Sequence, residues 1–191
     1  MNAVIILAGG KSRRMGRDKL ALSLDGETLL ESAVSRFSEV FENVYLSVAD
    51  ADKYPEIDVR RVTDIFPGAG PMSGLHSALT SLPYDGVFLV AADLPFADPH
   101  AARRIISLCG EAKACVVRLS DGRLEPLFGY YRRSLLPKCE DALRAGDYKM
   151  TVLLPDETTR FVSPDELGDL WDERLIMNVN YPEDYEKLRK N

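Results

Sequence analysis

At 191 residues the chain has room for one domain, or for one domain with a small extension. Its 46% hydrophobic and 28% charged residues are those of an ordinary globular protein with a sizeable core, which excludes collagen-like, disordered and membrane classes. The net charge of −6 opposes sequence-independent nucleic-acid binding, which needs a basic surface to displace counterions from phosphates, although a local basic pocket is compatible with it. Cys109, Cys115 and Cys139 form no CxxC pair and are odd in number, so neither a disulfide framework nor a zinc site follows, and a reducing compartment is favoured. The opening MNAVIILAGG has no basic segment before its apolar residues and reads as a buried strand rather than a signal peptide. The longest later apolar run, 87–92, is far short of the ~20 residues of a transmembrane helix, and a cytoplasmic protein without membrane attachment is expected.

Short apolar runs alternate with amphipathic stretches, the pattern of βα units around a mostly parallel sheet. Residues 3–7 form the first predicted strand. Leu29, Leu30, Ala33, Val34 and Phe37 fall at helical spacing within 27–40, after a turn at Asp25-Gly26, and 44–48 alternates apolar and polar as a second strand. A third strand is expected at 59–63 and a helix at 72–82, opened by Gly70-Pro71. The strongest central-strand signal, GVFLVAA at 86–92, ends at Asp93. Asp98 as a cap and Pro99 in the first helical position predict a helix over 99–109, followed by strands at 114–119 and 127–131. A helix at 134–145, a short segment at 148–154, a strand at 160–162 and a strand-helix pair over 176–190 complete the chain. No repeat, low-complexity tract or linker intervenes. The pattern predicts a single α/β domain over 1–191, doubly wound, with helices on both faces of the sheet and a ligand crevice outside the carboxyl ends of the strands.

The first strand runs directly into Leu7-Ala8-Gly9-Gly10-Lys11-Ser12-Arg13-Arg14-Met15-Gly16-Arg17-Asp18-Lys19. Glycines let backbone N–H groups approach an anion, and the lysines and arginines supply charge, so the segment suits a polyphosphate; by itself a glycine-basic stretch is as readily a basic surface loop. Walker A and GxGxxG spacings both fail, since five residues separate Gly10 from Gly16 and Arg17-Asp18 precede the lysine. Asp93, in Ala92-Asp93-Leu94-Pro95-Phe96, stands at the carboxyl end of a buried strand. A carboxylate there either caps the turn before Pro95 or holds a divalent cation against phosphate oxygens. In Asp64-Ile65-Phe66-Pro67-Gly68-Ala69-Gly70-Pro71-Met72-Ser73-Gly74-Leu75, the residues Gly70, Pro71 and Gly74 fix a tight strand-to-helix turn. His76 follows on that helix as a packing residue. Asn178 and Asn180 alternate at the end of the last predicted strand and share one face.

The full first string resembles LAGGxSxRMGxDK, the signature of the molybdenum cofactor guanylyltransferases, the MobA family. Three further segments keep that family's order: 64–75 resembles D-x-x-x-G-x-G-P-L-x-G, 93–96 resembles D-x-P-F, and Met177-Asn178-Val179-Asn180-Tyr181-Pro182-Glu183-Asp184 resembles N-x-N-T-P-E-D. The resemblance implies a Rossmann-like nucleotidyltransferase fold of the GT-A type. It implies transfer of GMP from GTP to the terminal phosphate of molybdopterin (molybdenum cofactor), with Mg²⁺ as cofactor and pyrophosphate as the second product. In its terms Leu7, Ala8, Gly9, Gly10, Asp64, Gly70 and Pro71 contact the nucleotide. Lys19, with Arg13 and Arg14, stabilises phosphate charge, Asp93 is the magnesium ligand, and Asn178 and Asn180 lie on the acceptor side. The strand Arg123-Leu124-Glu125-Pro126-Leu127-Phe128 adds acceptor contacts. Other cofactor-biosynthesis proteins and apo-molybdoenzymes are the implied protein partners.

Two departures stand out. Ser47-Val48-Ala49-Asp50 occupies the place where the family carries an Asn that touches the nucleotide, and Tyr181 replaces Thr. Related cytidylyltransferases more often show L-A-A-G; the missing Cβ at Gly9 leaves room for a purine, which favours GTP over CTP. The competing readings are a molybdenum cofactor cytidylyltransferase, or another nucleotidyltransferase on the same fold, and a non-catalytic GTP-binding protein that delivers the cofactor.

Overall fold

The computed structural model describes residues 2–8, 23–24 and 27–179. Seven strands form one sheet in the spatial order β5-β4-β1-β6-β8-β7-β9. They are β1 (Ala3–Leu7), β4 (Val44–Val48), β5 (Arg60–Thr63), β6 (Gly86–Ala91), β7 (Ala114–Arg118), β8 (Leu124–Arg132) and β9 (Thr159–Val162). Every neighbouring pair is parallel except the two that involve β8, which runs against β6 and β7. A separate two-stranded ribbon, β2 (Ser23–Leu24) with β3 (Glu27–Thr28), precedes the first helix.

Side chains alternate across the sheet and fill two cores, as period-2 geometry requires. Val4, Ile6, Leu46, Phe88 and Val90 pack with Leu30 and Phe37 of α1 (Leu29–Ser38) and Ile105 of α3 (Pro99–Leu108). Ala3, Ile5, Leu7 and Leu89 pack on the other face with Met72 and Leu75 of α2 (Pro71–Ser81) and Leu143 of α4 (Leu136–Ala145). Helices therefore cover both faces, and the doubly wound α/β expectation holds. Among the described residues no helix is long and apolar enough to cross a membrane.

The differences from expectation have local causes. α1 starts two residues later than predicted because Glu27 and Thr28 pair with Ser23 and Leu24 and Thr28 then caps the helix. Its Oγ1 accepts the Glu31 N–H at 3.1 Å, while Glu31 Oε2 accepts the Thr28 N–H at 2.7 Å. β8 is nine residues long rather than five, and its register with β7 shifts between Val116 and Val117. The buried Tyr131 hydroxyl donates to the Pro126 carbonyl at 2.7 Å and holds that irregularity. A short α5 (Pro164–Leu167), entered through a Ser163/Glu166 capping box, was not expected. The strand predicted from Ile176 does not form among the described residues: Ile176 ends a 3-10 turn over Glu173–Ile176, entered where the Asp172 carboxylate accepts the Arg174 N–H at 2.8 Å, and 177–179 follow without strand pairing. The last predicted helix lies outside the described residues.

Candidate active site

The chain leaves β1 toward β4 on one side and reaches β6 through α2 on the other, so the winding reverses between β1 and β6. Crevices form at such a reversal, outside the carboxyl ends of the strands. Leu7 pairs with Ala91, and the Ala92 N–H donates to the Leu7 carbonyl at 3.2 Å. The Ala8 N–H donates to the Ser47 carbonyl at 3.0 Å. Leu7 and Ala8 are both buried, so the main chain enters the crevice between Ser47 and Ala92. Gly9, Gly10, Arg13, Arg14 and Lys19 lie outside the described residues, as does Asn180.

Asp93 follows β6 after one residue, Ala92, and is half-buried at the crevice edge. Its carbonyl accepts the Val179 N–H at 3.0 Å, which brings the C-terminal segment, with exposed Asn178, to the same place. Two residues far apart in sequence, Asp93 and Asn178, are thus neighbours through one backbone hydrogen bond.

Asp64 stands on the other side of β1. Its N–H donates to the Val48 carbonyl at 3.0 Å, and the Ile65 N–H donates to Ser77 Oγ at 2.8 Å, tying the loop to α2. Burial pushes the Asp64 carboxyl up to about 6, against the opposing effect of the Ser73 hydroxyl. Gly70 adopts φ 62°, a conformation that favours glycine, and delivers the chain to Pro71 at the start of α2. Gly74 does something different from shaping the turn. A Cβ there would meet Ser47 Oγ at 2.5 Å and Leu7 Cδ2 at 2.7 Å, so its absence lets α2 rest on the ends of β1 and β4. The Ser47 departure is now placed: the side chain is buried beneath Gly74, and the Ser47 carbonyl supports Ala8. His76 packs between Phe66, ring centroids 4.9 Å apart, and Glu140, 3.8 Å from Nε2. Burial holds its imidazole below the usual range, consistent with packing.

Glu125 belongs to the 123–128 strand from which acceptor contacts are expected, without having been singled out there. It follows the β7–β8 turn, and its Oε1 accepts the Leu127 N–H at 3.1 Å. Burial raises its carboxyl above the ordinary value and the Asp93 charge adds to this, so the two carboxylates share one environment. The Glu-Pro pair at 125–126 sits where the register of β8 against β7 shifts. Beyond Glu125 the same edge of the sheet opens into a cavity of about 840 Å³, walled by the ends of β7 and β9, α5 and the 3-10 turn.

A mostly parallel sheet whose winding reverses at β1/β6, with backbone and carboxylates at its carboxyl edge, has the architecture of the Rossmann-like nucleotide-binding class. The comparisons specify which. Residues 4–159 match the MobA-like NTP transferase domain, and the chain belongs to that family. A probable molybdenum cofactor guanylyltransferase of Carboxydothermus hydrogenoformans is 35% identical over 98% of this chain and 94% of its own. A molybdenum cofactor guanylyltransferase of Campylobacter jejuni is 31% identical over 97% and 94%. The crystal structure of molybdopterin-guanine dinucleotide biosynthesis protein A from Archaeoglobus fulgidus superposes with a TM-score of 0.82 at 25% identity, covering 100% of this chain and 97% of that one.

Proposed function

We propose that the protein transfers GMP from GTP to the terminal phosphate of molybdopterin, yielding the guanine dinucleotide cofactor and pyrophosphate. The observation that carries this is the juxtaposition of Asp93 with the buried Leu7-Ala8 end of β1 at the point where the sheet reverses. Full-length similarity to guanylyltransferases supports the choice of base and acceptor.

In the reaction an oxygen of the acceptor phosphate bonds to the α-phosphorus of GTP. The bond from that phosphorus to the bridging oxygen of the β-phosphate breaks, and pyrophosphate leaves with the electron pair. A phosphate monoester is already an anion at neutral pH, so no side chain has to remove a proton, and the protein works by alignment and charge stabilisation. The β1 end and the following glycines, Gly9 and Gly10, receive the nucleotide; Asp64, Gly70 and Pro71 border it. Lys19, with Arg13 or Arg14, offsets charge on the departing pyrophosphate. Asn178 and Asn180 hold the acceptor near Asp93. The hard carboxylate oxygens at Asp93 suit Mg²⁺, which Asp93 would hold. Bound there, the ion would supply Lewis-acid neutralisation of phosphate oxygens.

The test is a thermal-shift panel of GTP, CTP, ATP and UTP with Mg²⁺, in which a ligand at 100 times its dissociation constant stabilises by about 2.7 kcal/mol. A shift for GTP that Asp93→Ala diminishes supports the assignment. A preference for CTP moves it to cytidylyl transfer, and no response to any nucleotide overturns it.

A further inference from the structure

We infer that Ser73, in the first turn of α2, is a positioning residue for the nucleotide: its buried hydroxyl donates to the Asp64 carboxylate and holds that group in place to accept from the nucleotide. The inference rests on the guanylyl-transfer reading only in taking Asp64 as a nucleotide contact, and it adds how this chain prepares that contact.

The backbone at Asp64 is pinned from two sides. Its N–H donates to the Val48 carbonyl at the end of β4, and the next N–H, of Ile65, donates to Ser77 Oγ at 2.8 Å. The face of α2 that carries Ser77 therefore lies against this loop. Residues four apart share a helix face, so Ser73 stands on the same face, about 6 Å nearer the helix start. It is fully buried, and its N–H is spent on the Gly70 carbonyl at 3.0 Å. The hydroxyl is left: Oγ is out of reach of solvent and meets no partner at full hydrogen-bonding geometry among the described residues. A buried polar atom of that kind calls for a partner. The Asp64 carboxyl is the group it serves, since the Ser73 hydroxyl favours the ionised form there against burial.

The charged and titratable groups on the elements around the loop are engaged elsewhere among the described residues. Arg60 and Arg61 of β5 donate to the Tyr45 hydroxyl and to backbone carbonyls, and Asp50 beyond β4 accepts the Asp52 N–H. His76 on α2 meets Glu140, which pairs with Arg144. A serine hydroxyl has one proton to give, so it occupies one carboxylate oxygen and leaves the other for a ligand. Without that donor a half-buried carboxyl keeps its proton to higher pH and presents an O–H where the nucleotide needs an acceptor. Gly74 seats the same turn of α2 against Leu7 and Ser47, so the donor stands on a fixed element. Loosely aligned hydrogen bonds of a binding site tighten once the ligand is seated.

The experiment labels the aspartate carboxyl carbons of the full chain with carbon-13 and follows their titration by NMR, with Asp64→Asn identifying the Asp64 signal. In parallel, calorimetry measures GTP binding with Mg²⁺ at pH 6.5 and at pH 8.5. In Ser73→Ala, which removes only the hydroxyl oxygen from a packed helix, the Asp64 midpoint moves from about 6 to higher pH. GTP binding weakens about fivefold at pH 6.5, the size expected for one hydrogen bond, and by less at pH 8.5. In the Asp64→Asn background Ser73→Ala has no further effect on GTP binding. An unmoved midpoint overturns the pairing. A loss of GTP affinity that is equal at both pH values and persists beside Asp64→Asn, or no loss at all, overturns the positioning role and spares the transfer. A parent that binds no GTP while its Asp64 midpoint still responds to Ser73→Ala supports the pairing and removes the transfer reading instead.

Discussion

The two halves of the sheet are built by different rules. The half made of β5, β4, β1 and β6 is wholly parallel, α1 and α2 carry two of its three connections, and its crevice-facing parts are strand ends and a helix start. The half made of β8, β7 and β9 contains the one reversed strand, a register shift, a four-residue helix and 3-10 turns. A nucleoside triphosphate presents the same phosphates to every enzyme that binds it, and a regular crevice meets that constant chemistry. An acceptor is peculiar to one reaction, and irregular backbone aims individual side chains at it. On the proposed reading, the nucleotide is received by the first half, and the contacts that select the acceptor are expected from the second.

The comparison is broken or sharpened by variants that act on one half only. The largest effect is expected at their junction: Asp93→Ala lowers turnover by ~10²–10³, measured as pyrophosphate release at saturating Mg²⁺. Gly74→Ala, wedging α2 off the ends of β1 and β4, costs about 1–3 kcal/mol in urea unfolding and weakens GTP binding. Combining it with Ser47→Ala, which removes the nearer clashing atom, recovers part of the loss; simple additivity of the two would refute the contact. Tyr131→Phe leaves the Pro126 carbonyl without its 2.7 Å donor, costs about 1–2 kcal/mol, and raises the acceptor KM but leaves the GTP shift intact.

The smallest effect is a pH dependence on the nucleotide side. Asp64 has a folded-state value raised from 3.8 to about 6, so its protonated form is the one burial favours. Its contribution to stability is present at low pH and is lost as pH rises through that interval. Asp64→Asn therefore melts higher than the parent at pH 7.5, and the difference closes as pH falls below 4. A constant difference across that range would show that Asp64 is not desolvated.

The regular half was legible in the sequence because each of its elements depends on neighbours in the chain. The apolar run at 86–92, the Asp98-Pro99 helix entry and the first strand before Gly9 all announce themselves locally. The positions of Asp93 and Asp64 were readable for the same reason: Asp64 directly follows β5, and Asp93 follows β6 after one residue. The second half was not. The register shift beside Glu125, where the Tyr131 hydroxyl donates to the Pro126 carbonyl, has no linear signal, and nothing linear connects Arg118 with Phe161. The strand expected at Ile176 failed because apolar residues there anchor a 3-10 turn closed by Asp172, and periodicity cannot separate the two over so few residues. Ser47 taught the reverse lesson. Its side chain is buried beneath Gly74, a packing relation that only the third dimension shows.

The most direct test of guanylyl transfer is pyrophosphate release by the full chain given Mg²⁺, molybdopterin and either GTP or CTP. One pyrophosphate per molybdopterin with GTP, little with CTP, and near-complete loss in Asp93→Ala are the expected results. Release with CTP in preference to GTP, or turnover indifferent to Asp93→Ala, would contradict it.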